Sequence, residues 1–198
     1  RNAPPRAGAM LETLRGLGYT TAAALADIVD NSVSAGAETV HIRFSWAAAS
    51  SHVTVVDDGC GMTDPELESA MRLGARNPLD QRDARDLGRF GVGLKTASLS
   101  QCRRLTVASV SAGQMACLRW DLDALAANPD SDWLLHEGPA AGSEAMLAAL
   151  NGAQAGTLVL WEVMDRVVTP GFGPEDFNDL IDRVENHLAM VFHRLLQG

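Results

Sequence analysis

Between Thr20 and Ala35 the apolar and polar positions repeat with the period of a helix. At about 100° per residue, Leu25, Ile28, Val29, Ser32 and Val33 fall on one side, and Asp27, Asp30, Asn31 and Ser34 on the other. Thr20 or Thr21 offers a hydroxyl N-cap, and Gly36 a stop. A shorter helix is predicted around Met10–Arg15. Over Val40–Trp46 the period changes to two: Val40, Ile42, Phe44 and Trp46 alternate with His41, Arg43 and Ser45. A second strand, His52–Val56, runs into Asp57-Asp58-Gly59-Cys60-Gly61-Met62. Thr63-Asp64-Pro65-Glu66 reads as a capping box with proline in the first turn, so a helix is expected to about Leu73.

Residues 74–89 are polar, rich in arginine and aspartate, and lack periodicity, which predicts a functional or mobile segment. Gly91–Gln101 reads as a helix. Leu105–Val110, Met115–Trp120 and Thr157–Val163 read as strands, and Pro174–Leu196 as a closing helix. Because the strands come largely as consecutive pairs, the expected class is α+β. Its architecture is a two-layer sandwich with helices on one face of a mixed, mostly antiparallel sheet. Neither a repeat nor a linker breaks the chain, so its 198 residues are read as one domain.

Composition narrows the function classes. A net charge of −9 argues against a phosphate-backbone-binding surface on this domain, so nucleic acid is expected to be met only through other domains. No apolar run approaches the ~20 residues of a membrane helix, and no charged-then-apolar signal segment is read at Arg1–Arg6, so a cytoplasmic protein with no membrane contact is expected. The odd, widely spaced Cys60, Cys102 and Cys117 suggest reduced thiols. Lys95 is the lone lysine among sixteen basic residues.

Four stretches could carry chemistry. Asp27 and Asn31, four apart, stack on one helix face. The plain reading is a solvated face, but no lysine or arginine partners it, and two acids beside an amide suit Mg²⁺, which takes oxygen ligands. Asp57 to Gly61 reads as a turn, or as a carboxylate beside glycine-exposed backbone that accepts a hydrogen bond from an exocyclic amine. Gly88-Arg89-Phe90-Gly91-Val92-Gly93-Leu94-Lys95 has the order GxxGxG leading into a helix, where backbone N–H groups can approach phosphate. It is neither a dinucleotide fingerprint nor a P-loop. Lys95 opposes the helix dipole there, which an anion would offset, or it snorkels to solvent. Ala155-Gly156-Thr157 alone is a strand start.

In this order and spacing the four stretches resemble the GHKL ATPases (gyrase, the heat-shock chaperone of that group, histidine kinases and the mismatch-repair protein MutL), whose ATP-binding unit is the Bergerat fold. The resemblance lies in Asp27-Ile28-Val29-Asp30-Asn31-Ser32 with Ala35-Gly36-Ala37, in Asp57-Asp58-Gly59-Cys60-Gly61, in Gly88 to Lys95, and in Gly156-Thr157. In motif style it is nearest to microrchidia, chaperone and MutL-like members. It implies ATP and Mg²⁺ as ligands, with Asn31 holding the metal. Asp57 would bind the adenine amino group with Thr157 in support, Gly59 and Gly61 would give the base room, and Met62 would pack near it. Gly88, Arg89, Phe90, Gly91, Val92 and Gly93 would wrap the phosphates in a lid of about residues 74–92, with Lys95 a further candidate phosphate contact. Asp27 falls where the family places the glutamate that orients the attacking water. Aspartate is one methylene shorter, a displacement of roughly 1 Å that can cost about 10²-fold, so slow turnover is expected. Ser34 stands where the family usually has an aspartate. The resemblance further implies an ATP-dependent homodimer, the N-terminal part of a longer protein and a conformational switch. Two alternatives remain: a regulatory module that binds ATP with little hydrolysis, and a histidine-kinase-type domain. For the latter, His136, His187 and His193 lack an acceptor context.

Overall fold

A computed structural model of the chain describes residues 7–16, 18–73, 93–127 and 133–195. In chain order the elements are α1 (Ala7–Leu14), α2 (Thr21–Ser34), β1 (Val40–Ser45), β2 (His52–Asp57), α3 (Asp64–Met71), α4 (Gly93–Leu99), β3 (Arg104–Ser111), β4 (Gln114–Asp121), α5 (Leu122–Ala127), β5 (His136–Glu137), β6 (Gly156–Glu162) and α6 (Pro174–Val191). The expected lid lies outside the described residues, and with it Gly88, Arg89, Phe90, Gly91 and Val92.

The strands form one sheet in the order β1-β2-β6-β3-β4-β5, and every pairing between them is antiparallel. The fold is thus the expected α+β sandwich. Alternation along each strand divides the sheet into two faces. Val53 and Val55 of β2, Leu105 and Val107 of β3, Leu118 and Trp120 of β4, and Val159 and Trp161 of β6 point into the main core under the helices. Ala108, Val110, Leu158 and Leu160 form a smaller cluster with Leu147 and Leu150. Those last two belong to a 3₁₀ helix, Glu144–Leu150, that the sequence pattern had not disclosed.

Helix α2 is central to the packed layer. Thr20 caps it, its Oγ1 accepting from the Ala23 backbone N–H at 3.2 Å. Gly36, just past its end, takes φ +75°, the left-handed conformation that favours glycine after a helix. Ala24, Leu25, Ala26, Ile28 and Ser32 are buried. α6 lies alongside through Phe177, Leu180 and Val184, and Phe177 also meets Phe44 of β1 edge-on at 6.0 Å. α3 is fixed to the sheet by the Trp120 indole N–H, which donates to Met71 O at 2.9 Å. Its predicted cap is present, with Thr63 N–H and Oγ1–H both donating to Glu66 Oε2, at 2.8 and 2.7 Å. α1 is held by the buried Arg15, whose Nε donates to Leu99 O at 2.6 Å and whose guanidinium pairs with Asp165.

The loop leaving β2 is the tightest place in the molecule. Gly61 has φ +67°, and a Cβ there would stand 1.8 Å from Val110 O. Gly156, at φ +137°, would place a Cβ 2.5 Å from Asp57 O. Only residues without side chains let this loop and the start of β6 close over the end of the sheet. Gly36→Ala, with open space around it, should cost only the left-handed backbone penalty of about 1–2 kcal/mol. Gly61→Ala adds a backbone collision and should cost about 3 kcal/mol or more. Urea denaturation of both variants checks this, and equal losses would contradict the packing described.

Candidate nucleotide-binding site

Three polar side chains line up across the end of the sheet because the register puts them there. Asp57 of β2 pairs with Thr157 of β6, and Thr157 pairs with Ser109 of β3. Asp57 continues the face of Val53 and Val55, and Thr157 that of Val159 and Trp161, so this row belongs to the helix side of the sheet. The neighbouring acid, Asp58, points elsewhere. Its Oδ1 accepts from Glu38 N–H and Thr39 N–H, both at 2.9 Å, and those backbone donors hold its carboxyl below the usual range. The two adjacent aspartates are thus turned to different partners.

Asp57 is half-buried, and each of its oxygens has one protein partner. Ser32 Oγ donates to Oδ2 at 2.7 Å, and Gly59 N–H donates to Oδ1 at 3.0 Å. A carboxylate offers about four lone-pair sites, so capacity remains for an amine. Next along the row, Ser109 Oγ accepts from Met62 N–H at 2.8 Å, lies 2.9 Å from Thr157 Oγ1 and donates to Gly156 O at 3.1 Å. With the Ser109 proton on Gly156 O, Thr157 donates to Ser109 and keeps its own lone pairs. Met62 is thereby tied to the row through its backbone, and its side chain packs against the main core.

The glycines of this loop have a structural task that the motif alone does not reveal. A Cβ at Gly59 would lie 2.9 Å from Ala35 Cβ, and the next residue, Cys60, donates its N–H to Ala35 O at 3.0 Å. What the missing side chains admit at Gly59 and Gly61 is protein: the end of α2 on one side and the end of β3 on the other.

The outward face of α2 carries the second group of candidates. Asp30, Asn31 and Ser34 are exposed, whereas Asp27 is half-buried. Asp27 Oδ2 accepts from the Tyr19 hydroxyl at 3.0 Å, and a Cβ at Gly93 would be 3.9 Å from that same oxygen. The first residue of α4 therefore borders Asp27. Burial, and then the adjacent Asp27, push the Tyr19 phenol above its ordinary pKa, so it stays a donor. Among the described residues no three His, Cys, Asp or Glu side chains converge as a metal site. The exposed Asn31 amide fits the small protein share of a Mg²⁺ shell otherwise filled by phosphate oxygens and water.

Lys95 neither snorkels nor sits on the surface. It is 1% exposed, and its ammonium donates to Ala70 O at 2.6 Å and Arg72 O at 2.8 Å, at the C-terminal end of α3. Three residues of this neighbourhood were not singled out as site residues from the sequence: Tyr19, Ser32 and Ser109. Each left a signal. Ser32 is a serine on the apolar side of a helix, Ser109 a serine in an apolar strand, and Tyr19 the single tyrosine of the chain, immediately before a cap. A separate cavity of about 520 Å³ is lined by Glu68, Leu118, Trp120, Trp133 and Leu135 among others, and contains no residue of the Asp57 row or of the Asp27 face.

The family model described as histidine kinase-, DNA gyrase B- and HSP90-like ATPase matches residues 19–157, a span that runs from Tyr19 to Thr157 and holds the whole of this geometry. The chain belongs to that family, whose domain is an ATP-binding one. Among curated relatives, the DNA mismatch repair protein MutL of Desulforudis audaxviator (strain MP104C) is 34% identical over 99 residues, covering 48% of this chain and 17% of the relative. MutL of Rhodopseudomonas palustris (strain HaA2) is 31% identical over 94 residues, covering 47% of this chain and 16% of the relative. The chain thus spans less than a fifth of the length of these two relatives.

Burial lowers the Lys95 pKa from 10.5 to about 8. Below pH 8 both folded and unfolded chains carry the charge. Between about 8 and 10.5 the unfolded chain binds more protons, so stability rises with pH through that window. Wild type should therefore gain on Lys95→Met as pH is raised from 7 to 9.5 in urea denaturation. A difference that stayed flat, or fell, would contradict a desolvated ammonium at this position.

Proposed function

We propose that this chain is a Mg²⁺-dependent ATP-binding module that hydrolyses ATP slowly and acts as a nucleotide-driven conformational or dimerisation switch. The observation that carries the reading is the double duty of α2. Its inner face sends Ser32 to Asp57, while its outer face presents Asp27 and Asn31 one turn apart, a rise of about 6 Å. A single rigid element thus fixes the distance between an acceptor suited to a purine amine and two side chains suited to the phosphate end.

In this reading Asp57 accepts a hydrogen bond from the adenine amino group, and Thr157 supports the base beside it. Asn31 would hold Mg²⁺, which when bound screens the phosphate charge. Asp27 takes the proton of the attacking water as the water oxygen bonds to the γ-phosphorus. The bond from that phosphorus to the bridging oxygen breaks, and ADP leaves with its electron pair. Positioning and electrostatics dominate phosphoryl transfer, so no covalent nucleophile is required. The short Asp27 side chain favours slow turnover over fast. Gly88, Arg89, Phe90, Gly91, Val92 and Gly93 are assigned to the phosphates. With a net charge of −9, any contact with nucleic acid is assigned to other parts of the protein. Among the described residues no helix is long and apolar enough to cross a membrane.

Asp27→Asn should leave affinity for ATP nearly intact and lower turnover by about 10²-fold or more. Asp57→Asn, which replaces an acceptor by a partial donor facing the base, should weaken ATP binding by about tenfold or more. Calorimetry with ATP and phosphate release measure the two effects, and undiminished hydrolysis by Asp27→Asn would remove the base assignment. Addition of a non-hydrolysable ATP analogue should double the mass of the full-length protein by light scattering, and an unchanged mass would remove the dimer switch.

A further inference from the structure

The geometry points to Tyr19 as the positioning residue of Asp27: its hydroxyl pins one carboxylate oxygen and leaves the other to take the proton of the attacking water. This rests on the base role proposed for Asp27 and goes beyond it. The hydroxyl donates to Oδ2 at 3.0 Å, leaving Oδ1 as the remaining acceptor. A phenol has one proton to give, and the bond to Oδ2 takes it.

The tyrosine is itself held from behind. Its carbonyl accepts from Gln101 Nε2 at 3.1 Å, and Gln101 Oε1 accepts from Thr21 Oγ1 at 2.7 Å. Gln101 is 3% exposed and follows closely on α4. The backbone just before α2 is thereby locked to the segment after α4, which fixes the point from which the Tyr19 ring projects. A carboxylate on a short side chain has two torsions to fix, and an oriented base loses about tenfold or more when it wanders by a fraction of an ångström. Holding one oxygen from the side is a way for an aspartate to serve where its reach is shorter. Gly93, the first residue of α4, borders the same oxygen, since a Cβ there would stand 3.9 Å from Oδ2.

The test is Tyr19→Phe, which keeps the ring and removes the donor, assayed well below its melting temperature by phosphate release and by binding of a non-hydrolysable ATP analogue. The expected result is a kcat about tenfold lower with the dissociation constant of the analogue unchanged within about twofold, and no further loss when the change is placed in the Asp27→Asn protein. Gln101→Leu, which removes the bond to the Tyr19 carbonyl, should give a smaller loss of kcat, again with binding unchanged, and it carries the test should Tyr19→Phe not fold. Wild-type turnover in Tyr19→Phe together with inactive Asp27→Asn would overturn this inference and leave the base role standing. An equal loss in both backgrounds would also overturn it, by placing the effect of Tyr19 somewhere other than Asp27. Wild-type turnover in Asp27→Asn would remove both.

Discussion

The hydrogen bond from Ser32 to Asp57 is the constraint on which the site depends. It joins the inner face of α2 to the end of β2, at 2.7 Å, between a serine that is 3% exposed and a half-buried carboxylate. A charge-assisted bond of this kind is about twice as strong as a neutral one. It also orients the acid, because the Gly59 N–H occupies the other oxygen. From there the order passes along the sheet through Thr157 and Ser109 to the backbone of Met62. The polar part of the site is therefore a continuation of the β-ladder, and its precision comes from strand register.

The group around Asp27 is organised differently. Asp27 lies among α2, Tyr19 and the start of α4, elements that meet by packing and by the Gln101 bridge. Lys95 ties α4 to the last carbonyls of α3. The cost of burying that ammonium is offset in part by carbonyls at a helix C-terminus, where a cation is favoured. One end of the site is thus set by the sheet, and the other by how three helices lean on each other.

Much of this was legible in the chain. The caps at Thr20 and Thr63 and the stop at Gly36 follow from local backbone chemistry, so the bounds of α2 and α3 could be read within a few residues. Alternation in β1 followed from the period of two, whereas Asp57 was picked out by the motif alone. Short elements were not legible: β5 is a two-residue strand, and α5 begins directly at the end of β4, with no separate start signal. Nor were Ser109 and Tyr19, whose importance comes from partners 48 and 8 positions away. Lys95 could be read only as an anion partner or a snorkelling side chain, since no sequence period shows that the end of another helix waits beside it. The glycines of the β2 loop were picked out by the motif, and only the fold reveals which backbones they let meet.

That Asp57, Thr157 and Ser109 form one rank across β2, β6 and β3 has an evolutionary corollary. Adding or removing a single residue near the start of β6 would turn its side chains over, sending the threonine to the opposite side while apolar neighbours such as Leu158 took its place. Leucine, valine and tryptophan fill both sides of this strand, so such a lineage could keep a folded sheet and lose its ligand. Descendants of this architecture that have become silent scaffolds should therefore be sought first among those with length changes around Gly156, and only afterwards among those whose acids have been replaced.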